Sequence, residues 1–489
     1  MIAKMVQPLV TLRRLVQPLV SLGPAFAKQL LVVGPKFDDA YYLASNPDVV
    51  RLNPLVHFLM YGWREDRDPS PDFSIADYTL ANPDVAAAGV NPFYHYLTVG
   101  RREGRRLEPS AEDAHWQKRF RHAIASEHLG GRTLSRPLDA GSGFRIELRC
   151  PTFRVQDGYG NAARHIATRL ERMDVDVSIG GLPHPKLWNG DSHANGAMLG
   201  DAMVLFWVPS AWRKSKWRKT IGFTMFESTR IPDQWLEGSA RHGFSHVDEV
   251  WVPSPWCAEV FRRYTPDPKV IPLGVDASAF PARRRRRGEK LRFLHDATKG
   301  GDYRKGQQLA IDAFQAAFPE RPDIELVIRC TYELNAASLE LRNDSRIAFK
   351  IAKMPTDRLN RMYGEFDAML YPSRSEGFGL IPLQAMATGM PCIFPRSSGM
   401  LSYANYGLPV DARPVPAWVG RGCFDAPDWT FREPNEWYEP DFDQLVDRLR
   451  QVDSEYDTLQ DRAMDEAAQI ATEWSWDRSA RAIVARIEA

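Results

Sequence analysis

At 489 residues, 44% of them hydrophobic and 26% charged, the chain has enough apolar content for two or three packed domains. Its 63 Lys and Arg against 62 Asp and Glu leave a net charge of +1, so no global field favours nucleic acid as a partner. The five cysteines are scattered without Cys-x-x-Cys or His/Cys ligand spacing, which points to a reducing, cytoplasmic compartment and away from structural zinc. Residues 1–35 carry VQPLV twice among Lys4, Arg13, Arg14 and Lys28, with Pro8, Pro18 and Pro24 interrupting any long helix. Nothing there reaches the roughly 18–20 unbroken apolar residues of a membrane span. This leader is expected either to pack locally or to lie on an anionic membrane surface, which would make the chain peripheral to the inner face of the cytoplasmic membrane.

Residues 36–110 hold a duplication. FDDAYYLASNPDVVRLNPLVHFLMYGWREDR from Phe37 returns as FSIADYTLANPDVAAAGVNPFYHYLTVGRREGR from Phe73, so that Asn46 matches Asn82, His57 matches His95 and Gly62 matches Gly100. The aromatic spacing predicts two short helices per unit, divided at Asn-Pro turns, with the units packed on each other. Two histidines at equivalent places follow from duplication alone, and packing is the expected role for both. Residues 111–142 are read as a linker.

From residue 143 the pattern alternates apolar strands with amphipathic helices, which predicts parallel sheets covered by helices. FRIELRC from Phe144 is a strand, residues 161–173 a helix, and VDVSI, AMVLFWV, TIGFTMF, DEVWV and KVIPL are further strands. The period stops at residues 281–290, where Arg283 to Arg287 form a run of five arginines. That run is placed as a solvated interdomain linker, with a contact to anionic lipid headgroups or an anionic acceptor as the alternative. A second set follows over 291–472: LRFLHDA, a helix from Gly306 to Phe318, DIELVIRC, RIAFKIA, DAMLYP, a helix opening at Gly377, and PCIFP. The fold class is therefore α/β, with two doubly wound Rossmann-like domains facing a cleft and a small α-helical repeat module in front.

The chemistry is expected where strand ends meet bare backbone. Past the buried strand DAMLYP, the string Ser375, Glu376, Gly377, Phe378, Gly379, Leu380 leads into a helix whose free N–H groups suit a diphosphate, with Gln384 two turns along. Glu376 can accept bonds from sugar hydroxyls and Gln384 can reach a ribose. Arg304 and Lys305 stand before the helix after the domain's first strand, where two cations would neutralise a pyrophosphate. In the first domain, Gly158, Tyr159, Gly160 and Asn161 form a turn facing the cleft, with Asn161 as N-cap. Glu227 and Arg230 follow a strand. Glu227 is read either as positioning an acceptor or as an ion-pair partner of Arg230. His165, Trp251, Trp256 and Phe261 are assigned to packing. The pair Asp174 and Asp176 imitates a metal-binding Asp-x-Asp but sits in a helix-to-strand turn, where polar residues are ordinary.

The stretch YPSRSEGFGLIPLQAMATGMPCIFP resembles the E-x7-E signature of family 4 glycosyltransferases, with Gln384 in place of the second Glu. DYRKGQQ and HVDEVWVPSPWCAEVFRR followed by VIPLGVD strengthen the resemblance, which covers residues 143–489 and includes WSWDRSARAIVARI as a terminal helix, 473–489, packing back across the fold. The resemblance implies a GT-B enzyme of the retaining hexosyltransferase type. Its donor would be a nucleotide-diphosphate sugar acting as co-substrate, and no permanent cofactor or metal is implied. It also implies Glu376, Arg304, Lys305 and Glu227 as catalytic groups, and Lys353 beside the base. The expected acceptor is a polysaccharide, oligosaccharide or lipid-linked hydroxyl in cell-envelope synthesis. A non-catalytic nucleotide-sugar scaffold and a GT-B epimerase are the rival readings. The NPDV repeats resemble modules found beside glycosyltransferase domains.

Overall fold

The computed structural model describes residues 26–46, 49, 53–82, 85, 89–107, 144–151, 158–180, 200–236, 243–297, 302–330, 344–351, 356–417 and 430–489. The chain divides into two compact units, residues 1–136 with 179–184, and residues 137–178 with 185–489.

In the first unit the duplication is visible bond by bond. Helices α1 (Asp39–Ser45) and α2 (Pro54–His57) repeat as α3 (Ile75–Ala81) and α4 (Pro92–His95), and α2 and α4 each run on into a π-helical turn, Phe58–Gly62 and Tyr96–Gly100. Asn53 and Asn91 cap α2 and α4, each followed by a proline at the first helical position, where its missing N–H loses nothing. Tyr42 Oη lies 2.9 Å from His57 Nδ1, and Tyr78 Oη lies 2.9 Å from His95 Nδ1. Gly62 and Gly100 complete each triad, because a Cβ at either would collide with that same tyrosine hydroxyl. Phe58, Phe73 and Phe93 then join both repeats in one core. The leader ends sooner than its composition suggests: residues 26–33 are helical, and Leu30 and Val33 are buried in that same core. The linker at 111–142 lies outside the described residues.

The second unit contains two six-stranded sheets. In the first, strands β1 (Arg145–Arg149), β2 (Asp176–Gly180), β3 (Ala202–Phe206), β4 (Lys219–Phe223), β5 (Glu249–Val252) and β6 (Lys269–Val270) lie in the order β2-β1-β3-β4-β5-β6. In the second, β7 (Leu291–Asp296), β8 (Ile324–Cys330), β9 (Ile347–Ile351), β10 (Ala368–Leu370), β11 (Cys392–Pro395) and β12 (Leu408–Val410) lie in the order β12-β11-β10-β7-β8-β9. Neighbouring strands of the second sheet run parallel, and β7 is flanked by β8 and β10, so the chain reverses its direction of travel across the sheet between β7 and β10. Ligands of doubly wound folds bind at that switch point, beyond the carboxyl ends of the strands. A third element was not anticipated: an antiparallel pair, β13 (Ala412–Pro416) and β14 (Glu436–Pro440).

The covering helices of the first sheet include α5 (Gly158–Glu171) and α6 (Pro255–Phe261). On the second they include α7 (Asp302–Lys305), α8 (Gln307–Ala317), α9 (Thr356–Tyr363) and α10 (Leu380–Ala387). Three helices close the chain, α11 (Phe442–Ser454), α12 (Tyr456–Glu473) and α13 (Trp476–Glu488). The last of them returns to the first sheet: α13 packs on α5, the His165 ring stacks on Trp476 at 4.9 Å, and Arg486 pairs with Glu249 at 2.9 Å.

The arginine run is coil between β6 and β7 and is solvated only in part: Arg284, Arg286 and Arg287 are exposed and Arg283 half-buried, but Arg285 departs from that expectation. Arg285 is buried, and its guanidinium donates to the carbonyls of Phe366 at 2.8 Å, Thr388 at 2.8 Å and Tyr363 at 3.1 Å. Burial lowers its pKa to about 10. Arg283 binds Asn360, Arg284 pairs with Asp461 and Arg287 with Asp453. A charge run reads as solvated because sequence shows no partners; here the partners lie 77–177 residues away.

Candidate functional site

Two loops meet at the switch point of the second sheet. One follows β7 and ends in α7 with Arg304 and Lys305; the other follows β10 and carries Tyr371 to Glu376. They touch because Gly306 takes a left-handed φ of 77°, and a side chain there would strike the Pro372 carbonyl. Glu376 is the hub. Its Oε1 accepts from Lys305 Nζ at 2.6 Å, Ser373 Oγ at 2.7 Å, Tyr371 Oη at 2.9 Å and Arg304 Nη1 at 3.3 Å. Every one of these bonds falls on Oε1. Among the described residues Oε2 takes none, and the side chain retains 10% accessibility, so one carboxylate oxygen is left to meet a ligand. Burial alone would raise the Glu376 pKa, but the Lys305 ammonium and the Arg304 guanidinium reverse that and hold it at about 2. Burial lowers the pKa of Lys305, with Glu376 opposing.

Both cations are thus turned inward on Glu376, with side chains 4% and 5% accessible. Two positive charges face one carboxylate, and that surplus is what a diphosphate would meet. The helix expected to open at Gly377 begins at Leu380, with Gly379 at N-cap in a left-handed φ of 89°. Among the described residues, the N–H groups of Gly379 and Leu380 donate to no protein acceptor, leaving the positive end of α10 unsatisfied beside the hub. Gln384, half-buried about one turn into α10, has an amide without a hydrogen bond among the described residues. Ser375 is buried, and its hydroxyl has no partner among the described residues. Phe378 points away from the site into Tyr403 and Trp474, at 5.9 and 5.7 Å. Lys353 lies outside the described residues.

The first domain closes on this loop directly. Ser254 Oγ and Cys257 Sγ both donate to the Gly377 carbonyl, at 2.8 and 3.2 Å, and Met225 packs against Gly377. Tyr159, in the first turn of α5, bonds both the N–H and the carbonyl of Met225, at 3.0 and 3.1 Å. Burial raises its phenol pKa well above the usual value, so it stays protonated. Gly158 and Gly160 belong to that same turn. Asn161 is not the N-cap, because the helix already runs from Gly158; its side-chain Oδ1 accepts from the Arg164 guanidinium. Glu227 does not pair with Arg230, which binds Glu433 at 2.8 Å instead. The Glu227 carboxylate is half-buried, and its charge acts on Lys305 and on Tyr159. Asp174 occupies a left-handed turn and Asp176 pairs with Arg145 at 2.7 Å, so neither carboxylate belongs to this cluster. Tyr371 and Ser373, which fix Glu376, were missed. The signal was present as hydroxyls immediately after a buried strand.

Residues 255–483 match the family model described as Family 4 Glycosyltransferase in conflict systems. The chain carries a family 4 glycosyltransferase domain. Its curated relatives include a D-inositol 3-phosphate glycosyltransferase of Corynebacterium glutamicum, 34% identical over 130 residues, covering 24% of this chain and 30% of that protein. Another, of Pseudarthrobacter chlorophenolicus, is 30% identical over 166 residues, covering 31% and 40%. The lipopolysaccharide core mannosyltransferase LpsB of Rhizobium meliloti is 33% identical over 101 residues, covering 19% and 28%. The matched stretch therefore spans less than half the length of these relatives. Among solved structures, Anabaena HepE in complex with UDP and glucose superposes with a TM-score of 0.51 at 12% identity, covering 71% of this chain and 100% of that one. The two sheets and their order make the fold GT-B, and the family 4 domain holds the whole Glu376 hub, while Tyr159 and Glu227 lie before it. No helix among the described residues is long and apolar enough to cross a membrane.

Proposed function

We propose that this chain transfers a hexose from a nucleotide-diphosphate sugar to a hydroxyl acceptor with retention at the anomeric carbon. The observation that carries the reading is the hub itself: a carboxylate with one free oxygen, two buried cations and an unsatisfied helix end at the switch point of the second sheet. Glu376 Oε2 would accept from sugar hydroxyls. Arg304 and Lys305 would release Glu376 in part and take up the diphosphate charge, helped by the N-terminus of α10. The acceptor oxygen attacks the anomeric carbon from the face that the nucleotide leaves; the carbon–oxygen bond to phosphate breaks, its electron pair stays on the phosphate oxygen, and that oxygen receives the acceptor proton. Charge neutralisation by side chains and a helix end needs no resident metal. Glu227, across from Lys305, would orient the acceptor.

The complex of HepE with UDP and glucose supports a nucleotide-sugar donor, and LpsB and the inositol phosphate enzymes support a small phosphorylated or envelope-saccharide acceptor. The test is incubation of the purified chain with labelled UDP-, GDP-, ADP- and dTDP-sugars and a bacterial envelope extract. Label should enter lipid or saccharide with the donor's anomeric configuration, and Lys305→Met should lower kcat/KM by about 100-fold or more, the loss typical of removing one charge-stabilising donor. Binding without product from any donor would overturn the transferase reading in favour of a scaffold, to which Gln384 in place of Glu would then belong.

A further inference from the structure

The pair β13–β14 belongs to neither sheet, yet it is bonded to both halves of the site. From β14, Glu439 holds Arg374 in a two-point ion pair at 2.5 and 2.7 Å. Arg374 lies two residues before Glu376. Its N–H donates to the Arg304 carbonyl at 2.8 Å, its guanidinium binds the Tyr303 carbonyl and covers the Tyr303 ring at 3.9 Å, and its own carbonyl accepts from the Tyr438 N–H at 2.9 Å. The backbone that aims Arg304 and Lys305 is therefore fixed through Arg374 and Glu439. Two residues back on the same strand, the Trp437 indole, fully buried, donates to the Glu227 carbonyl at 2.8 Å. Around it, the Asn435 side chain accepts from Ser228 and from the Arg230 N–H at 3.1 Å, Glu436 and Thr229 bond through their backbones at 3.3 Å, and Thr430 bonds Asp233 at 2.9 Å. Trp256 of α6 adds a bond to Tyr438 Oη at 3.2 Å.

We propose that Glu439 and Trp437 are positioning residues of the transfer reaction: strand β14 is a strap that sets the donor cations through Arg374 and the acceptor-side Glu227 through its carbonyl. This inference rests on the transferase reading above. Because side chains of alternate residues on a strand share a face, one short element reaches two segments from opposite domains, and a bidentate arginine pair makes the donor end rigid. Neither residue touches the reacting atoms.

Each end of the strap has its own kinetic signature. Glu439→Gln keeps the shape and removes the charge. It should raise the donor KM and lower kcat by about tenfold together, leaving the acceptor KM unchanged. Trp437→Phe keeps a ring and removes the N–H; it should raise the acceptor KM by a similar factor and leave the donor KM unchanged. Amide exchange on the same proteins should lose protection at Arg374 in the first variant, and at Thr229 and Arg230 in the second. Glu439→Asp should restore part of the donor KM. If both variants move both constants alike, or move neither while the amides stay protected, the strap is ordinary packing and the inference fails. A wild-type chain that transfers no sugar refutes the transferase reading instead, and amide exchange still reports whether β14 holds the two segments.

Discussion

Replacing Glu376 by Gln removes one buried negative charge and leaves Lys305 and Arg304 facing each other. The carboxyl is held at about 2 against an ordinary 4.5, which corresponds to about 3 kcal/mol of folding stability at neutral pH, at about 1.4 kcal/mol per pH unit. Because the folded-state value is the lower one, that stability is complete above about pH 5 and is lost as pH falls toward the folded value. By pH 3 about 2 kcal/mol of it should be gone. Urea unfolding of wild type and Glu376→Gln at pH 7, 5, 4 and 3 isolates the effect. At pH 7 the variant should be less stable by about 3 kcal/mol, in the range for breaking a buried ion pair, and the gap should narrow steadily toward pH 3. A gap that is absent at pH 7, or that stays constant down to pH 3, would refute the inward-turned hub.

Three further outcomes follow from the same contacts. Arg285→Met strands the carbonyls of Tyr363, Phe366 and Thr388 and should lower stability by about 3 kcal/mol in thermal or urea unfolding, whereas Arg286→Gln, at an exposed position, should change it by less than about 0.5 kcal/mol. His57→Phe and His95→Phe each lose one bond to a tyrosine hydroxyl and should cost about 1 kcal/mol apiece, with zinc giving no added thermal stability to the wild type. Gln384→Glu should tighten nucleoside diphosphate binding by up to about tenfold in calorimetry, because a carboxylate accepts from ribose hydroxyls more strongly than an amide does.

The sequence was most legible where local pattern and site coincide. Alternating strands and helices located both sheets, and the glycines around Glu376 located the loop that carries the hub, because φ values of 77° and 89° at Gly306 and Gly379 leave few other residues suitable. What sequence could not supply was partnership at long range. Arg230 had Glu227 three residues away and chose Glu433; Arg285 sat in a run that looks solvated and is buried; Asn161 looked like a cap, but α5 starts three residues earlier. The strap was invisible for the same reason: WYE in Glu436–Pro440 has the composition of any edge strand, and its role comes from segments some 65 and 210 residues away.

The return of α13 to the first sheet gives the molecule a particular order of assembly. Arg218 Nη2 bonds the Ile487 carbonyl across 269 residues, and the face of α5 around Ile166 and His165 is completed by Trp476. A ribosome delivers α5 long before residues 476–488 arrive, so the first domain waits with an apolar face open while the second is still being made. The two halves therefore mature together and late, and damage to the final helix should be felt first as aggregation of nascent chains rather than as a fault in the Glu376 hub.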